Sequence, residues 1–183
     1  MNKRYQPPQA EQFSEAQTRI AEEITSGLRG EIPGPLNMWL RRPELADRAQ
    51  KLGEYCRYET SVPPDLVEIA ILCVARFWTS EFEWHAHKRI ALGKGVSPEV
   101  IESIRRREAP NWESPAQALV FDFAHSVLSE RQVDDELYKN AVAEFGIDGV
   151  VDLVGILGYY SFISMTINVF DVPLPDGAMP ELD

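Results

Sequence analysis

Three residues that could act in acid–base chemistry, Ser80, Glu83 and His87, lie in the segment TSEFEWHAHKRIALGKG. Their spacing places them on one face of a helix, with Glu83 one turn before His87. A carboxylate in that position fixes the tautomer of an imidazole, and the imidazole can transfer a proton near neutral pH. The stripe has apolar neighbours, which are Phe82, Trp84, Ile90 and Leu92. The pattern therefore predicts a partly buried site with displaced pKa values.

The same residues also fit purely structural roles. Ser80 and Glu83 have the spacing of a capping box, in which the two side chains bond to each other's backbone N–H groups. Glu83 and His87 could form a solvated pair that stabilises the helix by about 0.3 kcal/mol. His85 lies about 200° from Glu83 around the helix, which favours a structural or interface role for it. These alternatives stay open at the level of the sequence.

The elements that must position these residues are predicted to be helices. Apolar residues recur at helical spacing between proline and glycine breaks, and no long run alternates with period two. The expected helices span about 9–28, 36–40, 43–57, 64–77, 80–92, 98 onward, 115 onward, 134–146 and 148–170. The last is apolar nearly all round, which predicts burial on every side, in the core or between subunits. We therefore expect an all-α helical bundle.

The length of the chain, 183 residues, fits one domain with a substantial core. We expect that domain to span residues 10–171. Residues 1–9 are polar and contain two adjacent prolines, which predicts a flexible tail, and residues 172–183 predict an extended, proline-rich tail.

The charge of the chain argues against two classes of partner. The formal net charge is −11, from 29 acidic and 18 basic residues, and no basic face offsets it. Such a chain repels nucleic acid and anionic membranes. The first residues lack the apolar core of a secretory signal, so we expect a cytoplasmic protein.

Cysteine and histidine positions predict neither a redox pair nor a metal site. Cys56 and Cys73 are 17 residues apart, and each is expected to be a small buried apolar residue. His125 follows Asp122 by three residues, but a dimetal bundle needs two Glu-x-x-His helices and two more glutamates, which the chain does not show. We expect no metal and no cofactor.

Residues 66–95 resemble the carboxymuconolactone decarboxylase and alkylhydroperoxidase-D superfamily. The family pattern is a glutamate, eleven residues, Cys-x-x-Cys, three residues and a histidine. Glu68 holds the glutamate position and His87 holds the histidine position. The downstream segment GVSPEVIESI and the upstream segment LNMWLRRPELADRAQKLGEYCRY match as well, so the likeness covers roughly residues 35–170.

The departure from the pattern is at the two cysteine positions, which hold Ser80 and Glu83. The peroxidase branch of the family cycles its cysteine pair between dithiol and disulfide. Serine and glutamate cannot form a disulfide, and Cys73 belongs to the preceding helix. The chain is therefore identified with the branch that lacks the redox pair, and thiol peroxidase activity is not expected.

The resemblance implies a cofactor-free carboxy-lyase in aromatic-compound degradation that acts on a small carboxylated lactone or a related acid. We expect His87 to donate or shuttle the proton, Glu68 to orient or deprotonate His87, and Glu83 to supply a second carboxylate. Substrate would be bound by Ser80, Arg76 and Trp84.

Two other functions remain open at this stage. One is an alkylhydroperoxidase-type or peroxiredoxin-type antioxidant, and the other is a non-catalytic binding or structural subunit. The resemblance also implies a homo-oligomer, trimeric or hexameric. Small residues on the last helix, Gly155, Gly158, Ser161 and Ser164, would allow close approach of subunits.

Overall fold

A computed structural model describes residues 4–175 and 177–182 of the chain. The described part is an all-α bundle, which confirms the predicted fold class, and it contains no β-strand. The α-helices are α1 Glu15–Ser26, α2 Gly34–Trp39, α3 Pro43–Tyr58, α4 Pro64–Phe77, α5 Glu81–Gly93, α6 Pro98–Arg106, α7 Pro115–His125 and α8 Asp135–Phe170. A short 3₁₀ helix, Ala10–Gln12, precedes α1, and a π-helical turn, Ser126–Glu130, follows α7.

Helix α4 is the centre of the bundle and packs against α5, α6, α7 and α8. Pro64 occupies its first turn, where the missing N–H costs nothing. Its interior is a run of mainly apolar residues from Leu66 to Arg76, all of them buried. A helix that is apolar all round is stable only when other helices cover every face. The polar side chains of this run, Glu68 and Arg76, are therefore held inside the protein.

Helix α8 carries the predicted break at Gly146, whose φ of +70° and ψ of 171° are not helical, so that two helical segments meet there at a kink. The predicted burial on every side is not reached within the single chain, because one stripe is exposed. Burial of that stripe between subunits stays a prediction. The exposed apolar residues of this stripe are Ile147, Val151, Val154, Met165 and Val169.

Helix α8 is also long and apolar enough to cross a membrane by length and composition. Its most apolar window is 61% buried inside the bundle. Burial of that extent is what the core helix of a folded domain shows, because its apolar face packs against neighbouring helices rather than lipid.

The segments at the two ends contact the bundle. The Tyr5 hydroxyl donates a hydrogen bond to the Gly34 carbonyl at 3.2 Å. Near the other end, the Glu81 carboxylate on α5 accepts hydrogen bonds from the backbone N–H groups of Glu181 and Leu182, at 2.9 and 2.7 Å. The predicted tails also include residues 1–3, 176 and 183, which lie outside the described residues.

Candidate active site

Helices α4 and α5 bring the predicted catalytic residues together. Glu68 lies in the second turn of α4, and Glu83 and His87 lie on successive turns of α5. The two helices form a tight antiparallel pair, joined by a turn in which Thr79 has φ +47°. In that turn the Ser80 N–H donates to the Ala75 carbonyl at 2.8 Å, so that the chain reverses within a few residues. The α5 stripe therefore faces Glu68.

The imidazole of His87 is held between two carboxylates. Its Nδ1 lies 2.7 Å from Glu68 Oε2, and its Nε2 lies 3.1 Å from Glu83 Oε1. The three side chains are buried, with about 5% of each exposed. We call Glu68, His87 and Glu83 the triad. The solvated-pair alternative is excluded, because an exposed pair would be open to water.

The electrostatics of the triad favour a protonated imidazole. Burial alone would lower the pKa of His87, but the negative charges of Glu68 and Glu83, with the hydrogen bonds that they accept, outweigh it. The pKa of His87 is thereby raised to about 9. At neutral pH both ring nitrogens then carry protons and donate to the two carboxylates. The triad therefore holds a proton on His87 that it can donate, and neither ring nitrogen is free to accept another proton.

An aromatic residue that the sequence analysis did not identify completes the surroundings of the triad. The Tyr160 ring on α8 lies edge-to-face with the His87 ring, with centroids 5.0 Å apart and an interplanar angle of 82°. Burial raises the pKa of Tyr160 well above its usual value, and Glu83 adds to the effect. Tyr159 packs on Tyr160, with centroids 5.2 Å apart. Nothing in the local spacing relates these tyrosines to α5, because only tertiary packing brings the helices together.

Close packing on this side of α8 depends on a glycine of α3. A Cβ atom on Gly53 would lie 2.0 Å from the hydroxyl oxygen of Tyr159 and 2.6 Å from Nη2 of Arg29. The absence of a side chain at Gly53 therefore lets the Tyr159 hydroxyl reach the α3 backbone. Burial raises the pKa of Tyr159 beyond its usual range, despite the nearby Arg29.

The predicted substrate-binding residues lie in two different places. Ser80, the N-cap of α5, and Trp84, within α5, are fully buried, and among the described residues neither Ser80 Oγ nor Trp84 Nε1 has a hydrogen-bond partner. The capping-box alternative for Ser80 is therefore wrong. Arg76 points elsewhere: its Nε donates to the Arg105 carbonyl at 2.6 Å, and it lines a cavity to which the triad does not contribute.

The remaining titratable candidates do not join the triad. His85 is half-buried, and His125 lines a cavity and a cleft to which no triad residue contributes. Among the described residues no group of three or more His, Cys, Asp or Glu side chains is arranged to hold a metal ion.

The two cysteines are free thiols. Burial raises the pKa of Cys56 to about 11 and that of Cys73 to about 12. A thiol with such a pKa has very little thiolate at neutral pH, and the thiolate is the reactive form. The environments of both thiols therefore disfavour peroxide chemistry on sulfur.

The sequence was compared with protein families and with curated proteins. The model of the carboxymuconolactone decarboxylase family matches residues 43–126, a range that runs from α3 to the end of α7 and includes the whole triad. No curated protein matches the sequence.

Two solved structures share the fold. An uncharacterized peroxidase-related protein from Silicibacter sp. TM1040 has a TM-score of 0.75 and 14% identity, over 92% of this chain and 90% of that one. A cysteine-to-alanine variant of the debrominase Bmp8, in complex with 2,3,4-tribromopyrrole, has a TM-score of 0.75 and 14% identity, over 96% of this chain and 94% of that one. At this identity the likeness concerns the fold alone. The family match assigns residues 43–126 to the carboxymuconolactone decarboxylase family, and the shared fold agrees with the predicted carboxymuconolactone decarboxylase and alkylhydroperoxidase-D-like superfamily.

Proposed function

We propose that this protein is a cofactor-free carboxy-lyase that uses the triad to protonate a small carboxylated lactone or a related ring-cleavage product. The observation that carries the proposal is the His87 imidazole held between two buried carboxylates at 2.7 and 3.1 Å. Buried groups with displaced pKa values are concentrated at functional sites. The debrominase with the same fold acts on a different substrate class, so the fold does not select the substrate.

The reaction needs one proton and no redox partner. The bond between the ring carbon and the carboxylate breaks, carbon dioxide leaves, and the electron pair moves into a conjugated carbonyl to give an enolate. A proton added to carbon then completes the product. The triad would supply that proton and recover it from water afterwards.

We propose that the three residues have different parts in the proton transfer. Both nitrogens of His87 face protein carboxylates, so the imidazolium would deliver its proton through an oxygen of Glu83 rather than directly. Glu68, at the shorter distance of 2.7 Å, would hold the ring in place. Ser80 Oγ lacks a partner among the described residues and would donate a hydrogen bond to substrate.

The test is a screen of lactone acids for carbon dioxide release, followed by substitution in the triad. With a verified substrate, we expect His87→Gln to lower kcat at least a hundredfold, because general acid catalysis contributes about 10²–10⁴. The double variant Cys56→Ser/Cys73→Ser serves as a control and should retain activity. Turnover within threefold of the parent in His87→Gln would refute the assignment. A loss of activity in the cysteine variant without a loss of fold would favour a thiol mechanism instead.

We also propose that the protein is cytoplasmic and forms a homo-oligomer, a trimer or a hexamer, through the outer stripe of α8. Val151 and Val154 are 64% and 53% exposed on this stripe in the single chain. Covering them by a second copy would remove apolar surface from water. Light scattering should report a smaller assembly for Val151→Glu than for the parent, whereas an unchanged mass would exclude this interface.

A further inference from the structure

A cavity separate from the triad lies between α4, α6 and α7. Its volume is about 580 Å³, which falls within the range of ~300–1,000 Å³ that is usual for small-molecule sites. No triad residue lines it. Half of its lining residues are apolar, and these are Cys73, Phe77, Ile104, Ala109, Phe121 and Leu128. The cavity is therefore suited to an apolar group of moderate size.

The Cys73 thiol contributes to the apolar character of this wall. Cys73 is only 8% exposed, and it lines the cavity. Its raised pKa keeps it neutral at physiological pH. A buried, neutral and polarisable group at the wall of a cavity favours contact with an apolar or aromatic ligand.

A second cleft, of about 370 Å³, adjoins the cavity and shares Asp122 and His125 with it. Its lining includes four carboxylates, those of Asp122, Glu130, Asp134 and Glu136. None of its described lining residues is a lysine or an arginine. Asp134 caps α8 through the backbone N–H groups of Glu136 and Leu137, while the other three carboxylates form no ion pair with a described residue. The cleft is therefore strongly negative and complements a cation.

The other charged residues that line the cavity are Arg76, Arg107 and Glu108, and Arg76 donates a hydrogen bond to the carbonyl of Arg105. The cavity and the cleft together are lined by two guanidinium groups and five carboxylates, so the combined lining is net negative. The two compartments meet at the π-helical turn Ser126–Glu130, which begins directly after His125. Turns of this kind occur frequently at functional sites, because the wider turn changes where side chains point.

We propose that the cavity and the acidic cleft together bind an organic amine. Its apolar body, an aromatic or branched aliphatic group, fills the cavity beside Cys73 and Leu128. Its ammonium group lies in the cleft beside Asp122. No triad residue takes part, so this binding site goes beyond the proposed lyase function.

The experiment compares three probes of similar shape and different charge: 2-phenylethylamine, 3-phenylpropionate and 2-phenylethanol. Methyl NMR of Ile104, which lines the cavity, reports occupancy, and the ring resonances of His87 report whether the triad is involved. We expect saturable shifts of the Ile104 methyl groups with the amine and at least tenfold weaker binding of the acid. The His87 resonances should stay in place.

Matched carboxylate variants test the location of the ammonium group. Asp122→Asn removes the charge shared by the two compartments, and we expect it to weaken amine binding about tenfold, the equivalent of one charged contact of about 1.4 kcal/mol. Glu144→Gln removes an exposed charge of α8 that lines neither compartment, and it should leave binding unchanged. Both changes are at exposed positions, so neither threatens the fold.

Several results would overturn the proposal. These are equal or tighter binding of the acid, no saturable shift with the amine, or equal affinity in the parent and Asp122→Asn. Filling the cavity by Leu128→Trp adds an independent check, because binding should then be lost even with all four carboxylates present. Failure of these tests would leave the triad mechanism unaffected, because carbon dioxide release measures that mechanism separately.

Discussion

Two regions of the bundle hold their charges in opposite ways. Between α4 and α5, Glu68 meets the imidazolium of His87, and about 5% of each side chain is exposed. Between α7 and α8, Asp122 and its neighbouring carboxylates are exposed and line a cleft without an ion pair among the described residues. A buried charge must be satisfied within the chain, because desolvation is costly. An exposed cleft has no such requirement, so folding alone does not explain its composition.

The largest effect on stability is expected when one carboxylate in each region is replaced by an amide. Glu68→Gln leaves a buried imidazolium without its closest partner, and we expect a loss of unfolding free energy of about 4 kcal/mol. Asp122→Asn should change it by less than about 0.5 kcal/mol. Urea denaturation measures both, with the exposed Glu22→Gln as a further control. Equal losses of unfolding free energy in Glu68→Gln and Asp122→Asn would show that burial does not make the charge at Glu68 more important for stability.

The pH dependence of stability should come from the buried region. The folded-state pKa of His87 is raised from 6.5 to about 9, so its stabilising contribution is complete below pH 6.5 and is lost as the pH rises through 9. The contribution is about 3 kcal/mol. Denaturation at a series of pH values should show this decline in the parent and in His125→Gln. If His87→Gln lost the same amount of stability between pH 6.5 and 9, the pH dependence would have to come from another titratable group.

Two helical glycines, Gly53 and Gly158, differ in how closely the surrounding atoms pack against them. Gly53→Ala would place a methyl group 2.0 Å from the Tyr159 hydroxyl, and we expect it to destabilise the protein by about 2 kcal/mol through overpacking. Gly158, also within a helix, has no atom within 4 Å of a built Cβ position. Gly158→Ala should therefore raise stability by about 0.5–1 kcal/mol through helix propensity. Thermal unfolding of the two variants measures opposite shifts, and shifts of the same sign would contradict the packing described for Tyr159.

The smallest expected effect on stability is at Ser80. Its hydroxyl is buried without a partner among the described residues, so Ser80→Ala removes an unsatisfied group. Stability should be unchanged or rise by up to about 1 kcal/mol. Turnover of a verified substrate should nevertheless fall, because the proposed donor is lost. A loss of stability without a loss of turnover would give Ser80 a structural role instead.

Much of the fold followed from local patterns. Helical periodicity, with proline and glycine at the ends, predicted the helices and the break at Gly146. The exposed stripe of α8 was not predicted. The apolar character of a side chain does not tell whether a neighbouring helix, a second subunit or water surrounds it. Arg76 was expected at the substrate site, but its position on α4 turns it toward Arg105 and the separate cavity.

The sequence by itself determined the stripe of Ser80, Glu83 and His87, because residue types and a helical repeat are enough to place side chains on one face. It also determined that no Cys-x-x-Cys pair is present. Only the tertiary structure decided the protonation state of His87, since that depends on burial and on Glu68, 19 residues away on another helix. The contact with Tyr160 and the cleft at Asp122 likewise arise where distant helices meet, and no local pattern encodes those distances.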